Sequence, residues 1–274
     1  MAIKGSGSLT MAEINAEFGL GNNLNAYRNV NWYTDSGGSG TFSSGTVGMA
    51  EFYNKRKTVP VFPGSREFPT PGVYNFIVPG YNTLIIEAWG GGAGGGAGQS
   101  GGVTGGDGTA SVVSNPYGLS MLAQGGAGGQ GGYGYRTIGA GGYARAASGG
   151  NSVNISGNPG QNYYGRKKGG DAPYGGTGGL GAMTYFNEPG YDGSSPGAGG
   201  GGGNQDNGRG YYGHGGGGGS GAFVQSIYTR STSGAPAFGS TLNISVGYRG
   251  EGGVASFGGN GGAGAPGSVK ITWY

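Results

Sequence analysis

Leu84-Ile85-Ile86-Glu87-Ala88-Trp89-Gly90-Gly91-Gly92-Ala93-Gly94-Gly95-Gly96-Ala97-Gly98 decides how the rest of the chain is read. Its first half sets Leu84, Ile86 and Ala88 against Ile85, Glu87 and Trp89, the two-residue period of a β-strand with one buried face. Its second half has almost no side chains. A glycine fixed in one conformation costs roughly 0.5–1 kcal/mol more than alanine, so an ordered run must recover that cost through packing. Extended three-residue-per-turn helices of the polyproline II type can do so. Bare backbones then approach closely enough for direct N–H···O and Cα–H···O contacts. Single interruptions such as Ala93, Ala97, Ala127 and Thr177 are expected where a helix face is open. A flexible linker is the competing reading, but it explains neither the strand before the run nor the aromatic residues after it.

The pattern spreads outward from this stretch. Of 76 glycines in 274 residues, 64 lie in residues 90–274, grouped as islands at 90–98, 125–132, 139–142, 175–181, 197–203, 213–221 and 258–264. Unbroken runs rule out the strict Gly-X-Y repeat of collagen. Leu, Ile, Val and Phe together make about 15% of the chain, too little for a conventional helical enzyme. Disorder would bring a high net charge, yet the charge is only +3, with 19 Tyr, 10 Phe and 3 Trp. No stretch approaches the ~20 apolar residues of a membrane-spanning helix. Cysteine is absent, which excludes disulfides and thiolate metal sites. Further strands are expected at 73–78, 109–113, 119–123, 222–228, around Leu242, Ile244 and Val246, and around Val269, Ile271 and Trp273. The fold class expected is mainly β: a glycine-rich β-sandwich over residues 70–274, closed by its first and last segments and carrying packed polyglycine II-type segments.

Residues 1–57 read differently, as a small module with short helices. Thr10 and Glu13 fit a capping box, Leu9 and Ile14 a hydrophobic staple, and Gly19 a left-handed stop, giving a helix over 10–18. A second helix is expected at residues 49–53, with Lys55-Arg56-Lys57 as its solvated end. So short a unit buries little surface, so Leu9, Ile14, Phe18, Tyr27, Phe52 and Tyr53 are candidates for docking on a partner. Residues 58–69 read as a linker. The segments Gly7 to Ile14, Glu17-Phe18-Gly19, Leu24 to Arg28 and Met49 to Tyr53 resemble a module of tailed-bacteriophage structural proteins. That resemblance implies a virion component attached through its N-terminal end.

A second resemblance lies in the other part. Phe76 to Gly80, Glu87-Ala88-Trp89, Gly221 to Val224, Leu242 to Gly247, Phe257 to Gly262 and Ala265 to Trp273 are similar to the glycine-rich β domain of phage tail and receptor-binding proteins. In composition the middle resembles the adhesins of T-even-type tail fibres. The resemblance implies a tail-fibre or tail-tip adhesin that binds a host surface protein or polysaccharide, with other virion proteins bound by the N-terminal module. A decoration or fibre protein without a receptor is the alternative. The location implied is the virion, after assembly in the host cytoplasm, with a homo-oligomer left open.

Between the islands lie aromatic and basic segments. They hold Tyr133, Tyr135 and Arg136; Tyr143 and Arg145; Tyr163, Tyr164 and Arg166 with Lys167 and Lys168; Tyr174; Tyr185, Phe186 and Tyr191; and Arg209, Tyr211 and Tyr212. Tyr, Gly, Asn and Arg are the residues of recognition loops, and these residues, Tyr174 and the two lysines apart, are the receptor-binding candidates. Catalytic chemistry has little to stand on. His214 is the single histidine, G-x-G-x-x-G arises by chance about eight times at this glycine content, and no phosphate-loop G-K-[ST] exists. Asn204 to Gly208 reads as a turn rather than a calcium loop. Glu188 and Asp192 read as loop residues, which leaves a polysaccharide-degrading enzyme unsupported. Neither enzyme activity, a cofactor, a metal, nucleic-acid binding nor membrane insertion is expected.

Overall fold

The computed structural model describes the chain except for residues 1, 37, 99–101, 133–136, 163–166, 184–186, 207–211 and 231; the side chains of residues 137, 138, 206 and 212 also lie outside the description. In the N-terminal module Thr10 caps helix α1 (Met11–Phe18). The Glu13 N–H donates to Thr10 Oγ1 at 3.3 Å, and the Thr10 N–H donates to Glu13 Oε2 at 2.7 Å. A hydrogen bond from Lys4, with those from Thr10, holds the Glu13 carboxyl down to about 2. Gly19 ends the helix at φ 72. Strands β1 (Asn31–Thr34), β2 (Ser39–Thr41) and β3 (Lys55–Arg56) form a sheet in the order β2-β1-β3.

Two expectations for this module need correction. Met49–Phe52 is a single 3₁₀ turn, and the chain goes straight on into β3. Lys55 and Arg56 are therefore strand residues paired with β1, not a solvated helix end. The Lys55 ammonium sits 3.8 Å from the centre of the Trp32 ring, and Arg56 pairs with Asp35. The module also makes its own core. Ile14, Phe18, Tyr27, Phe42 and Phe52 are buried together, with edge-on ring contacts at 5.2–6.1 Å among Phe18, Tyr27, Phe42 and Phe52. Ile14, Phe18, Tyr27 and Phe52 thus face one another rather than a partner. Leu9 packs against the same core, and the Tyr53 hydroxyl donates to the Gly7 carbonyl.

The remaining strands are β4 (Gly64–Phe68), β5 (Gly72–Ile77), β6 (Thr83–Trp89), β7 (Ser111–Ser114), β8 (Ser120–Ala123), β9 (Thr137–Ile138), β10 (Ala147–Ser148), β11 (Val153–Ile155), β12 (Asn204–Asp206), β13 (Tyr212–His214), β14 (Phe223–Thr229), β15 (Thr241–Val246) and β16 (Ser268–Trp273). They make the protein mainly β. Two five-stranded antiparallel sheets run β10-β8-β7-β15-β5 and β11-β14-β6-β16-β4. Their alternating apolar residues meet in one core: Phe76, Val113, Met121, Leu242 and Ile244 from the first sheet, Leu84, Ile86, Val224, Val269 and Ile271 from the second. A third sheet, β12-β13-β9, includes one parallel pair, β13 with β9.

β16 lies between β4 and β6, so the last strand closes against the earliest part of the domain. β4 was expected as linker. It forms because Phe68 can drop into the core while residues 64–68 pair with β16 along an open edge. Asn204–Asp206, expected as a turn, is likewise a strand, paired with β13.

Candidate functional site

The site is built on glycine. Along residues 90–98 the backbone N–H groups donate in a three-residue rotation. Gly90, Ala93 and Gly96 donate to Ala222, Gly219 and Gly216; Gly91, Gly94 and Ala97 to Thr109, Gly106 and Val103; and Gly92, Gly95 and Gly98 to Ala265, Gly262 and Gly259, all at 2.8–3.0 Å. The carbonyls repeat the rotation. They accept from Gly126, Gly129 and Gly132, from Gly200 and Gly203, and from Gly250 and Gly253. This segment is a polyglycine II helix with six bonded neighbours, three antiparallel to it and three parallel. Residues 197–203 and 215–222 are surrounded in the same way. Gly215, Gly218 and Gly221 donate to Gly203, Gly200 and Gly197, which joins the two directly.

Close approach is why side chains are missing. A Cβ placed on Gly92 would stand 1.8 Å from the Ala198 carbonyl oxygen, and one on Gly217 would stand 2.2 Å from that of Lys168. The alanine interruptions correct the expectation of open faces: Ala93, Ala97 and Ala127 are buried, while Thr177 is exposed.

The registers give the lattice a direction. Residues 90, 109, 124, 222 and 265 sit at the end joined to the five-stranded sheets; residues 98, 103, 132, 203 and 259 sit at the other. At about 3.1 Å per residue the two ends are roughly 25 Å apart. The N-terminal module lies beyond the sheets on the opposite side. Tyr33 contacts Phe238 edge-on at 5.9 Å, and Asn31, Tyr33 and Thr41 share a cleft with Gly80, Tyr81 and residues 235–238.

Most receptor-binding candidates lie outside the described residues. Tyr133, Tyr135, Arg136, Tyr163, Tyr164, Arg166, Tyr185, Phe186, Arg209 and Tyr211 lie outside the described residues, as does the side chain of Tyr212. The residues flanking them are described and lie in the half of the lattice away from the sheets: Gly132 bonds to Ala97 and Glu188 to Asn204 near the far end, and Gln161 to Gly217 and Lys167 and Ala182 to Gly202 about two residues short of it.

The other candidates stand apart. The Tyr143 carbonyl accepts from Ala127 and the Arg145 carbonyl from Gly157, toward the sheets, and Tyr191 lies mid-lattice, bonded to Leu180 and Gly201. Tyr143 and Tyr191 are 65% and 64% exposed. Arg145 is paired to Asp107 at 2.5 Å, and its guanidinium is held charged against its burial by that carboxylate. Two basic residues counted with the recognition segments have structural places instead. Lys168 bonds Asp171 at 2.6 Å, while Lys167 is buried with Nζ 3.4 Å from the Ala182 carbonyl. Burial draws the Lys167 ammonium down to about 8, against a pull upward from Glu188.

His214 is a buried residue of β13 whose carbonyl accepts from Gly139. Among the described residues, no group of three or more His, Asp or Glu is placed to hold a metal, and no helix is long and apolar enough to cross a membrane. Tyr174, named with the aromatic segments but not among the receptor-binding candidates, is 76% exposed in the left-handed region at φ 49, a conformation that no residue pattern announces. No family model matches the chain, and no curated protein matches it.

Proposed function

We propose that the chain is a bacteriophage virion protein, a tail-fibre or tail-tip adhesin that attaches through residues 1–57 and meets a host surface protein or polysaccharide with its aromatic and basic segments. The observation that carries this reading is the axial order of the molecule. Module, sheets and glycine lattice follow one another, and the described flanks of four aromatic segments lie in the half of the lattice farther from the module. A lattice with six backbone neighbours per helix is a rigid base for such segments, and rigid elements hold binding groups more sharply than free loops do.

Changing Tyr163, Tyr164, Tyr211 and Tyr212 together to Ala should abolish adsorption to host cells while the protein still folds and enters particles. Each ring that acts as an anchor is worth about 1–2 kcal/mol. Unchanged adsorption would leave the alternative, a structural decoration or fibre protein without a receptor.

A further inference from the structure

One cross-strand row on the outer face of the second sheet runs Val153, Gln225, Glu87, Lys270 across β11, β14, β6 and β16. Two residues further along, and so on the same face, Phe223 stands opposite Trp89, with ring centres 4.9 Å apart. A turn at residues 172–176 hangs over this end of the face. Its Gly175 N–H donates to the Ala172 carbonyl, and Trp89 Nε1 donates to the Pro173 carbonyl at 2.9 Å. That anchor sets Tyr174 edge-on against Phe223 at 5.2 Å and 68°. The seven residues line an open cleft of about 410 Å³, within the size range of small-ligand sites.

The chemistry of the lining is selective. Trp89 and Phe223 are buried and form the floor, whereas Tyr174 presents most of its ring to solvent from a strained backbone position. Glu87 accepts one hydrogen bond, from Gln225 Nε2 at 3.0 Å, and a carboxylate has room for several more. Lys270 brings donors only, and Gln225 brings an amide. The formal charges of Glu87 and Lys270 cancel, so nothing in the lining favours an anion. β14, β6 and β16, which carry the polar residues of the row, are each bonded on both sides, and of the row's strands only β11, three residues long, stands at an edge of the sheet, so the polar part of the cleft offers no free backbone edge to an extended peptide. A ligand here must be held by side chains, with one flat apolar face and several groups that both donate and accept. A sugar ring has that form.

We propose that this cleft binds a neutral hexose unit of a glycan, its C–H face against Tyr174 and its hydroxyls on Glu87, Gln225 and Lys270. The cleft lies where the sheets meet the lattice, apart from the far-end segments, so it stands independently of the adhesin reading. The test titrates the full ¹⁵N-labelled chain with methyl α-glucopyranoside, methyl β-galactopyranoside, methyl α-mannopyranoside and, as an anionic arm, glucuronate, following the Trp89 indole N–H resonance. At least one neutral hexoside should give a saturable shift with a millimolar Kd, and glucuronate should bind more weakly. Tyr174→Gly, which removes the ring and relieves the backbone, and Glu87→Gln should each weaken binding about tenfold, while Tyr117→Ala, at an exposed residue outside the cleft, leaves it unaltered. Absence of a saturable shift with every neutral hexoside, or undiminished affinity in a folded Tyr174→Gly protein, would overturn the proposal. Host-cell adsorption reads the far-end segments separately, so either idea can fail alone.

Discussion

At the scale of the residue, Lys167 is the least expected placement. The sequence puts it in a solvent-seeking Arg-Lys-Lys cluster, yet it is buried beside the Ala182 carbonyl and drawn down to about 8, mainly by burial. Its ordinary value, 10.5, applies in the unfolded chain. The folded protein therefore binds this proton less tightly than the unfolded one. The penalty is full below pH 8 and fades as pH rises toward 10.5, so the Lys167 contribution makes stability increase over that window. Urea midpoints at pH 7 and at about pH 9.5 should show the increase in the wild type and lack it in Lys167→Met, which should also be the more stable protein at pH 7. An identical pH response in both proteins would refute this account of the lysine.

At the scale of the element, the polyglycine II helix makes the sharpest prediction. Gly94 and Gly217 are closed in by backbone, with hypothetical Cβ atoms 1.9 Å from the Glu251 carbonyl oxygen and 2.2 Å from the Lys168 one. Gly94→Ala and Gly217→Val should each cost about 1–3 kcal/mol or more, since overpacking here can be relieved only by moving bonded backbones. Gly45→Ala is the control. Its nearest neighbour would be 3.5 Å away, and there alanine should be neutral or stabilise by up to about 1 kcal/mol. Thermal unfolding separates the two classes. Amide exchange adds a second check: residues 93–96, 199–203 and 215–221 should be among the slowest in the chain, and exchange at the rate of an unstructured peptide would rule the lattice out.

At the scale of the whole molecule, the N-terminal module has its own core but few residues to build it. Phe18 meets Tyr27, Phe42 and Phe52, so Phe18→Ala should cost about 3–5 kcal/mol, enough to unfold so small a unit. Two-phase urea unfolding should report this, with the early phase lost in the variant and the late phase of the sheets and lattice unchanged. If residues 1–57 are the attachment end, the same variant should be missing from particles although residues 64–274 remain folded.

Much of this architecture was legible in the chain. Thr10, Glu13 and Gly19 announced α1 because caps act within a few residues of one another. Strand β6 was readable to the residue because alternation is local, and 76 glycines without a Gly-X-Y period pointed to packed three-residue helices. Tertiary structure alone decided the rest. β4 looks like linker until β16 supplies its partner, and the module's aromatic residues look like a docking face until they close on one another. The neighbours of each glycine helix were beyond reading as well. Glycine has no side chain to encode a pairing, so register between residues 90–98 and partners as distant as 259–265 is set by the assembled backbone, where every N–H finds its carbonyl only when all the neighbours are in place.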